Sequence, residues 1–138
     1  MITKQKYFSK TSIALMLLGL TPFIAAIYYL QVYDFELGLA IFIHYSVIIL
    51  SFIGAINWGR NYVEKSSEVF YLSVLPAMIA FSSFFFSFSN NLALLAFGYF
   101  IAWLIDMFLL LKNKEFFMYL VMRTIITISV IYLHIYLM

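Results

Sequence analysis

One stretch decides the fold of this chain: His44-Tyr45-Ser46-Val47-Ile48-Ile49-Leu50-Ser51-Phe52-Ile53-Gly54-Ala55-Ile56-Asn57-Trp58-Gly59-Arg60. It is apolar enough to cross a bilayer, yet it carries small residues at helical spacing and a histidine inside the span. It ends with the sequence Asn-Trp-Gly-Arg. Small or polar side chains fall on two sides of such a helix. The pattern therefore predicts a central membrane helix around which other helices pack.

The composition favours lipid as the natural surroundings of the chain. Of its 138 residues, 66% are hydrophobic and 10% are charged, whereas about a quarter of the residues in a typical soluble domain are charged. A soluble domain of this size could not bury so many large apolar side chains in one core. The net charge of +2 without a basic block argues against nucleic-acid binding, and the absence of cysteine excludes disulfides and thiol chemistry.

Charged residues divide the chain into uncharged runs that are long enough to cross a membrane. About twenty residues span the hydrocarbon core, and the run from Val69 to Ile105 is too long for one helix. We expect Ser87-Phe88-Ser89-Asn90-Asn91 to break it, because Ser and Asn compete for backbone hydrogen bonds. The sequence thus predicts a single all-α domain over residues 1–138, a polytopic bundle of five membrane helices. The predicted spans are 11–33, 37–59, 69–88, 92–111 and 116–137.

The distribution of lysine and arginine predicts the orientation of the bundle. The first uncharged run is longer than the h-region of a signal peptide, about 7–15 residues, so we expect it to remain as a span. Outside the spans, basic residues fall only in the N-terminal tail and the second and fourth connections: Lys4, Lys6, Lys10, Arg60, Lys65, Lys112 and Lys114. The N-terminus is therefore expected inside and the C-terminus outside. The predicted location is the bacterial inner (cytoplasmic) membrane, with the mitochondrial inner membrane second.

Polar residues within the spans identify the helix faces that turn inward, because an unpaired polar group in hydrocarbon is costly. In the fourth span, one face carries Gly98, Ala102 and Asp106 at intervals of four. In the fifth span, one stripe carries Arg123, Thr127, Val130 and His134. These two faces are expected to meet in the interior of the bundle.

Asp106 and Arg123 are predicted to form an ion pair between the fourth and fifth spans. Asp106 lies about 9 Å before Lys112 and Arg123 about 12 Å after Glu115, at 1.5 Å per residue. The two charges therefore lie at similar depth on antiparallel helices. Two interpretations remain open: the pair locks two helices together, or it lines a polar pocket that opens inward.

The second span adds a packing surface and two candidate site residues. Ser51, Ala55 and Gly59 recur at intervals of four, which allows close approach of a neighbouring backbone. The residues predicted at helix contacts are Ser51, Gly54, Ala55, Gly59, Gly98 and Ala102. The candidate polar cluster, either ligand-binding or structural, comprises Asn57, Trp58, Asp106 and Arg123.

No constellation of catalytic or cofactor-binding residues is evident. A haem held by two histidines is the alternative considered, but His44 and His134 are offset by about 6 Å along their helices. We expect His44 to be a core histidine and His134 an interfacial one. The serines of the third span have no histidine at their depth, and no phosphate-binding loop or paired carboxylate motif occurs. The chain is therefore expected not to be an enzyme and to need no metal or cofactor.

The second span resembles the signature of a family of uncharacterised membrane proteins. That family includes the mitochondrial transmembrane protein sixty-nine and short bacterial relatives, with a pattern of about Tyr-Gly-Ala-x-x-Leu-Ser-Phe-Leu-Gly-Gly-x-x-Trp-Gly. The matching residues are Leu50, Ser51, Phe52, Gly54, Trp58 and Gly59. Further similarities are Leu18–Phe23, Pro76, Met122-Arg123 and Thr127, whereas Ser46 and Ala55 replace glycines of the pattern. The resemblance implies a membrane bundle and carries no activity.

Two functions fit these observations. The first is a structural, accessory or assembly role, in which the bundle docks in a larger inner-membrane complex or forms a homo-oligomer. The second is binding of a lipid or another apolar ligand between the helices near Asn57, Trp58, Asp106 and Arg123. In size and helix count the chain is similar to the tryptophan-rich sensory proteins, although Trp58 and Trp103 are its only tryptophans.

Overall fold

Six α-helices follow one another in the computed structural model, which describes residues 10–64, 67–112 and 114–138. They are α1 (Lys10–Leu18), α2 (Thr21–Val32), α3 (Phe35–Glu64), α4 (Ser67–Ser82), α5 (Phe88–Leu110) and α6 (Phe117–Leu137). Short 3₁₀ turns over Ser83–Phe85 and Lys114–Phe116 precede α5 and α6. Lys4, Lys6 and Lys65, which contribute to the predicted orientation, lie outside the described residues.

Among the described residues, five helical segments are long and apolar enough to cross a membrane, which confirms the predicted all-α, five-span bundle. They are Lys10–Val32, Phe35–Arg60, Ser67–Phe85, Phe88–Leu110 and Lys114–Leu137. Each segment begins and ends within a few residues of its predicted span. Large apolar side chains are exposed along all of them. These are the features of a multi-pass membrane protein.

The first span is broken, whereas the sequence predicts one continuous helix over 11–33. Pro22 has no N–H and its ring clashes with the carbonyl four residues earlier, that of Leu18, so the helix stops and restarts. The hydroxyl of Thr21 donates to the Leu18 carbonyl at 2.7 Å, and the Tyr45 hydroxyl donates to the Gly19 carbonyl at 2.9 Å. Backbone groups that the break releases thus find partners, as an apolar medium demands.

The break between the third and fourth spans lies earlier than predicted. The chain leaves helical geometry at Phe86, and α5 starts at Phe88, so Ser89 and Asn91 belong to the helix and not to the turn. The physical reason is that Ser and Asn are favoured at helix N-termini as well as in turns. The backbone N–H of Asn91 donates to the Ser87 carbonyl at 2.8 Å and begins the helical pattern there.

Helix α3 contacts α2, α4 and α5 and buries one of its faces. The polar members of this face are Ser46 and Asn57. Its apolar members are Leu39, Phe42, Ile43, Leu50 and Ile53.

Within the described part of the chain, Ser51, Ala55 and Gly59 do not form the predicted packing surface. Ser51 is half-buried, and both Ala55 and Gly59 are exposed. The physical reason is that exposing small apolar residues to lipid costs little, whereas Ser46 and Asn57 need hydrogen-bond partners inside the bundle. The polar residues therefore decide which face of α3 turns inward.

Two of the predicted small residues do lie at close helix contacts. A Cβ added to Gly54 would collide with the backbone carbonyl oxygen of Ser73 in α4. A Cβ on Gly98 of α5 would lie 2.5 Å from Leu50 Cδ2 in α3. Ala102, one turn further along α5, is fully buried. These residues set the spacing of α3, α4 and α5.

We predict that Gly54→Ala destabilises the bundle, whereas Gly59→Ala on the same helix does not. The new methyl group at position 54 would meet backbone that cannot rotate away, and overpacking of this kind typically costs about 1–3 kcal/mol. At position 59 a Cβ meets no described atom within 4 Å, and alanine favours helix by about 0.5–1 kcal/mol. Unfolding in mixed detergent measures the difference, and equal stability of the two variants would contradict this packing.

Candidate functional site

The carboxylate of Asp106 is the centre of a buried polar cluster. Asp106 is only 1% exposed, and it receives hydrogen bonds from two other helices. Asn57 Nδ2 in α3 donates to Oδ1 at 2.8 Å, and Arg123 Nε in α6 donates to Oδ2 at 2.7 Å. The ion pair expected between Asp106 and Arg123 is therefore present, and Asn57 joins it.

Local helix geometry brings these groups together. In α5 the stripe of Gly98, Ala102 and Asp106 is buried, and the small residues let the neighbouring helices approach the carboxylate. In α6 the whole predicted stripe is buried: Arg123, Thr127, Val130 and His134. A short connection joins α5 to α6, and the contact between Asp106 and Arg123 shows that these two residues lie level with each other along the antiparallel helices. We call this end of the bundle, with Arg60, Lys112 and Lys114, the basic end.

Two further side chains that the sequence analysis missed close the cluster toward the basic end. The Tyr119 hydroxyl donates to Asp106 Oδ2 at 3.4 Å. The Arg60 guanidinium lies over the rings of Phe116 and Tyr119, at 5.5 and 5.6 Å from their centres. Helical spacing could have found both, since Tyr119 precedes Arg123 by four residues and Arg60 follows Asn57 by three.

Trp58 does not belong to the cluster, which corrects its predicted role. Its side chain is 47% exposed and packs edge-on against Phe70 of α4, with ring centres 5.0 Å apart. The physical reason is helix geometry, because successive residues point about 100° apart around the axis. With Asn57 directed inward, Trp58 must lie on a flank.

A second buried polar cluster, formed by Ser46, Tyr99 and His134, ties α3, α5 and α6 together. Val130 O accepts from His134 Nδ1 at 2.8 Å, so Nε2 is the ring nitrogen that accepts, and Ser46 Oγ donates to it at 2.8 Å. The Tyr99 hydroxyl donates to the Ser46 carbonyl at 2.9 Å. This Ser–His pair was not predicted, because only the serines of the third span were compared with the histidines and Ser46 lies in the second span.

The expected roles of the two histidines are reversed. His134 is fully buried among the rings of Phe23, Phe42 and Tyr99, whereas His44 is exposed and lies near Phe84. Hydrogen bonds position His134 inside, which depth counting from the end of a helix could not detect. Both of its ring nitrogens are engaged, which argues further against the haem hypothesis.

A cavity of about 240 Å³ lies between the two polar clusters. Its walls come from α1, α2, α3, α5 and α6, and most of them are apolar. The lining residues include Leu20, Phe23, Ile49, Ile53 and Val130, with Tyr99, Tyr119, Arg123 and Thr127 as its polar members. Leu15 and Phe52 also line it and are 64% and 60% exposed, so the cavity opens sideways between α1 and α3.

Two buried polar atoms of the cavity-lining residues have no hydrogen-bond partner in the part of the chain that the structure describes. They are Arg123 Nη2 and Thr127 Oγ1, and both side chains are more than nine-tenths buried. Arg123 uses Nε for Asp106, which fixes the plane of the guanidinium and leaves Nη2 available. The arrangement is chemically suited to hold a molecule with a polar head and an apolar body.

We predict that Asp106 and Arg123 are strongly coupled in stability. Asp106→Asn alone leaves a buried guanidinium without its counter-charge, and so should cost about 3–5 kcal/mol, as should Arg123→Gln. The double variant places two amides side by side and should be less destabilised than either single variant. A double-mutant cycle of unfolding free energies in detergent measures this coupling. Additive effects would mean that the two groups act separately.

We further predict that Ser46→Ala destabilises the bundle by about 1–3 kcal/mol, because His134 Nε2 then lacks its donor in a dry environment. Ser129→Ala is the matched control, since the Ser129 hydroxyl bonds only to the Ile125 carbonyl of its own helix, at 2.9 Å. Thermal unfolding in detergent compares the two. A loss of similar size for both variants would contradict a special role of the Ser46–His134 contact.

Comparison with known proteins identifies the family of this chain but does not indicate an activity. A family model described as a protein of unknown function, DUF3429, matches residues 8–138. No curated protein and no solved structure matches the chain. The matched region includes all six helices and both polar clusters. The chain therefore belongs to the DUF3429 family of proteins of unknown function.

Proposed function

We propose that this integral membrane protein binds a small amphipathic molecule within its helices and has no catalytic activity of its own. The single observation that carries the proposal is an apolar cavity lined by Arg123 and Thr127, whose buried atoms Nη2 and Oγ1 have no hydrogen-bond partner among the described residues. A buried donor without a partner costs about 1–3 kcal/mol. A ligand that supplies an acceptor there removes this cost and gains apolar contacts as well.

The size of the cavity agrees with a small ligand. Its volume of about 240 Å³ exceeds the ~150 Å³ of an engineered apolar cavity that accepts benzene, and it lies just below the ~300–1,000 Å³ of usual ligand pockets. At ~30 Å³ for each water-sized group, it takes about eight such groups. A longer apolar tail would extend through the side opening between α1 and α3.

Access from the membrane is supported by the weak attachment of α1. None of its residues is buried, while Leu15 and Met16 form part of the cavity wall. The helix break next to Gly19 allows α1 to move without disturbing α2. We propose that a ligand enters sideways from the lipid, past Leu15 and Phe52.

The basic end of the bundle is proposed to lie inside a bacterial cytoplasmic membrane, in keeping with the positive-inside rule. The mitochondrial inner membrane is the second location, which the likeness of the second span to the relatives of transmembrane protein sixty-nine supports. In this orientation Arg123 and Asp106 lie in the inner half of the bilayer.

A second candidate function is an accessory or assembly role in a larger membrane complex, or as a homo-oligomer. The observation that favours it is that Ala55 and Gly59 are exposed, with Ser51 half-buried beside them. Small residues on an outer helix surface permit close contact with another membrane helix. This role and ligand binding use different sides of α3.

We predict that Ile49→Phe empties the cavity of its ligand, whereas Ile48→Phe does not. Ile49 lines the cavity, while its neighbour Ile48 is exposed on the outer side of α3. Filling a cavity commonly stabilises a protein by about 0.5–2 kcal/mol, so the loss of ligand should accompany equal or higher thermal stability.

Native mass spectrometry of the chain purified in mild detergent is the measurement. A bound small molecule, present with wild type and Ile48→Phe and lost with Ile49→Phe, would support ligand binding. A chain without any small molecule, or equal occupancy in both variants, would count against it. A stoichiometric protein partner would support the second candidate instead.

A further inference from the structure

We propose that the ligand's head is a carboxylate held by Arg123 and Thr127, which makes the ligand a fatty-acid-like amphiphile of medium chain length. This inference rests on the proposed function and specifies the chemistry of the same cavity. Arg123 Nη2 and Thr127 Oγ1 are the buried atoms without partners among the described residues that line it.

The available hydrogen-bonding groups favour an acceptor with negative charge. A guanidinium has only donors and keeps its proton in proteins, so Nη2 cannot serve a ligand that offers a donor. A hydrogen bond with one ionised partner is about twice as strong as a neutral one, and a ligand carboxylate adds the direct attraction between opposite charges. Thr127 lies one helical turn after Arg123 on the same face, where its hydroxyl adds a second donor.

The charge of the cluster also favours an anion. The described side chains of the cluster include two guanidinium groups, Arg60 and Arg123, and one carboxylate, Asp106. Both oxygens of Asp106 already accept hydrogen bonds, one from Asn57 and one from Arg123. A ligand carboxylate would balance the remaining positive charge without displacing these bonds.

The number of available hydrogen-bond donors favours a carboxylate over a phosphate as the head of the ligand. One free guanidinium nitrogen and one hydroxyl match the two oxygens of a carboxylate. A phosphate monoester presents three oxygens and nearly two charges, and would leave acceptors unpaired in an apolar cavity. The geometry therefore points to the smaller, singly charged head.

The shape of the cavity places the apolar tail beyond the head. Val130 follows Arg123 by seven residues, or about 10 Å at 1.5 Å per residue. Between the two the wall turns from polar to apolar, and Leu20 and Phe23 complete it. An acyl chain of about eight carbons fits this length and the volume of about 240 Å³.

Equilibrium dialysis with labelled octanoate and labelled 1-octanol tests the inference. The full chain is placed in nanodiscs of uncharged lipid, with empty nanodiscs of the same lipid as the reference for partitioning. We expect saturable binding of both compounds above the reference, with octanoate at least about tenfold tighter than 1-octanol, because a hydrogen bond to an ionised group is worth more than a neutral one. Octylammonium should bind more weakly than either.

Substitutions test whether Thr127 and Arg123 account for the preference for octanoate over 1-octanol. Thr127→Val should weaken octanoate binding about tenfold, since it removes one donor to an ionised partner. Thr124→Val is the matched control on the same helix, because Thr124 bonds to Trp103 and does not line this cavity. The double variant Asp106→Asn with Arg123→Gln should bind the two compounds with similar affinity.

The outcomes separate this inference from the proposed function. If 1-octanol binds saturably and as tightly as octanoate, and Ile49→Phe abolishes both, the carboxylate assignment is overturned while ligand binding in the cavity stands. Equal effects of Thr127→Val and Thr124→Val would also overturn the assignment. Saturable binding of neither compound would overturn it, and the absence of any bound molecule in native mass spectra would overturn the proposed function as well.

Discussion

The hydrogen bonds to the buried carboxylate of Asp106 fix the relative positions of three helices. Arg123 donates at 2.7 Å from α6 and Asn57 at 2.8 Å from α3, so the rotation and the axial shift of both helices relative to α5 are set at one point. A charge in hydrocarbon is tolerated only with such partners. Apolar packing alone would not do this, because lipid tails are as apolar as the leucine side chains that pack between helices.

The need to pair buried polar groups also explains the less regular parts of the structure. Where Pro22 ends α1, the carbonyls of Leu18 and Gly19 receive hydroxyl donors from Thr21 and Tyr45. The fully buried His134 has a partner on each ring nitrogen. A broken helix and a buried imidazole are thus stable in an apolar environment because their polar atoms are paired.

Charge distribution and helical spacing sufficed to predict the five spans, the Asp106–Arg123 pair and the buried stripe of α6. They did not suffice for the inward face of α3, because Ser51, Ala55 and Gly59 have the same spacing whether they meet a helix or lipid. The role of His134 depends on Ser46, which lies on another helix, and no periodicity within one helix reveals such a partner. The cavity is lined by residues from five helices, among them Phe23 and Ile53, and is therefore a property of the assembled bundle.

Two polar atoms of residues that line the cavity are exceptions to this pairing of buried polar groups. Polar atoms without partners in the protein are expected near the membrane surface, where water can form hydrogen bonds with them. Arg123 Nη2 and Thr127 Oγ1 are instead buried in residues that line a cavity, one helical turn apart. The Asp106 carboxylate accepts a hydrogen bond from Arg123 Nε and so holds the guanidinium in place. Hydrogen bonds to Asp106 hold the Arg123 side chain in one orientation, on the side of the cavity formed by α3, α5 and α6. In the function that we propose, this fixed orientation lowers the ordering cost of binding. The opposite wall is α1, which has no buried residue. The uptake of a molecule from the lipid that we propose depends on this contrast between the two walls.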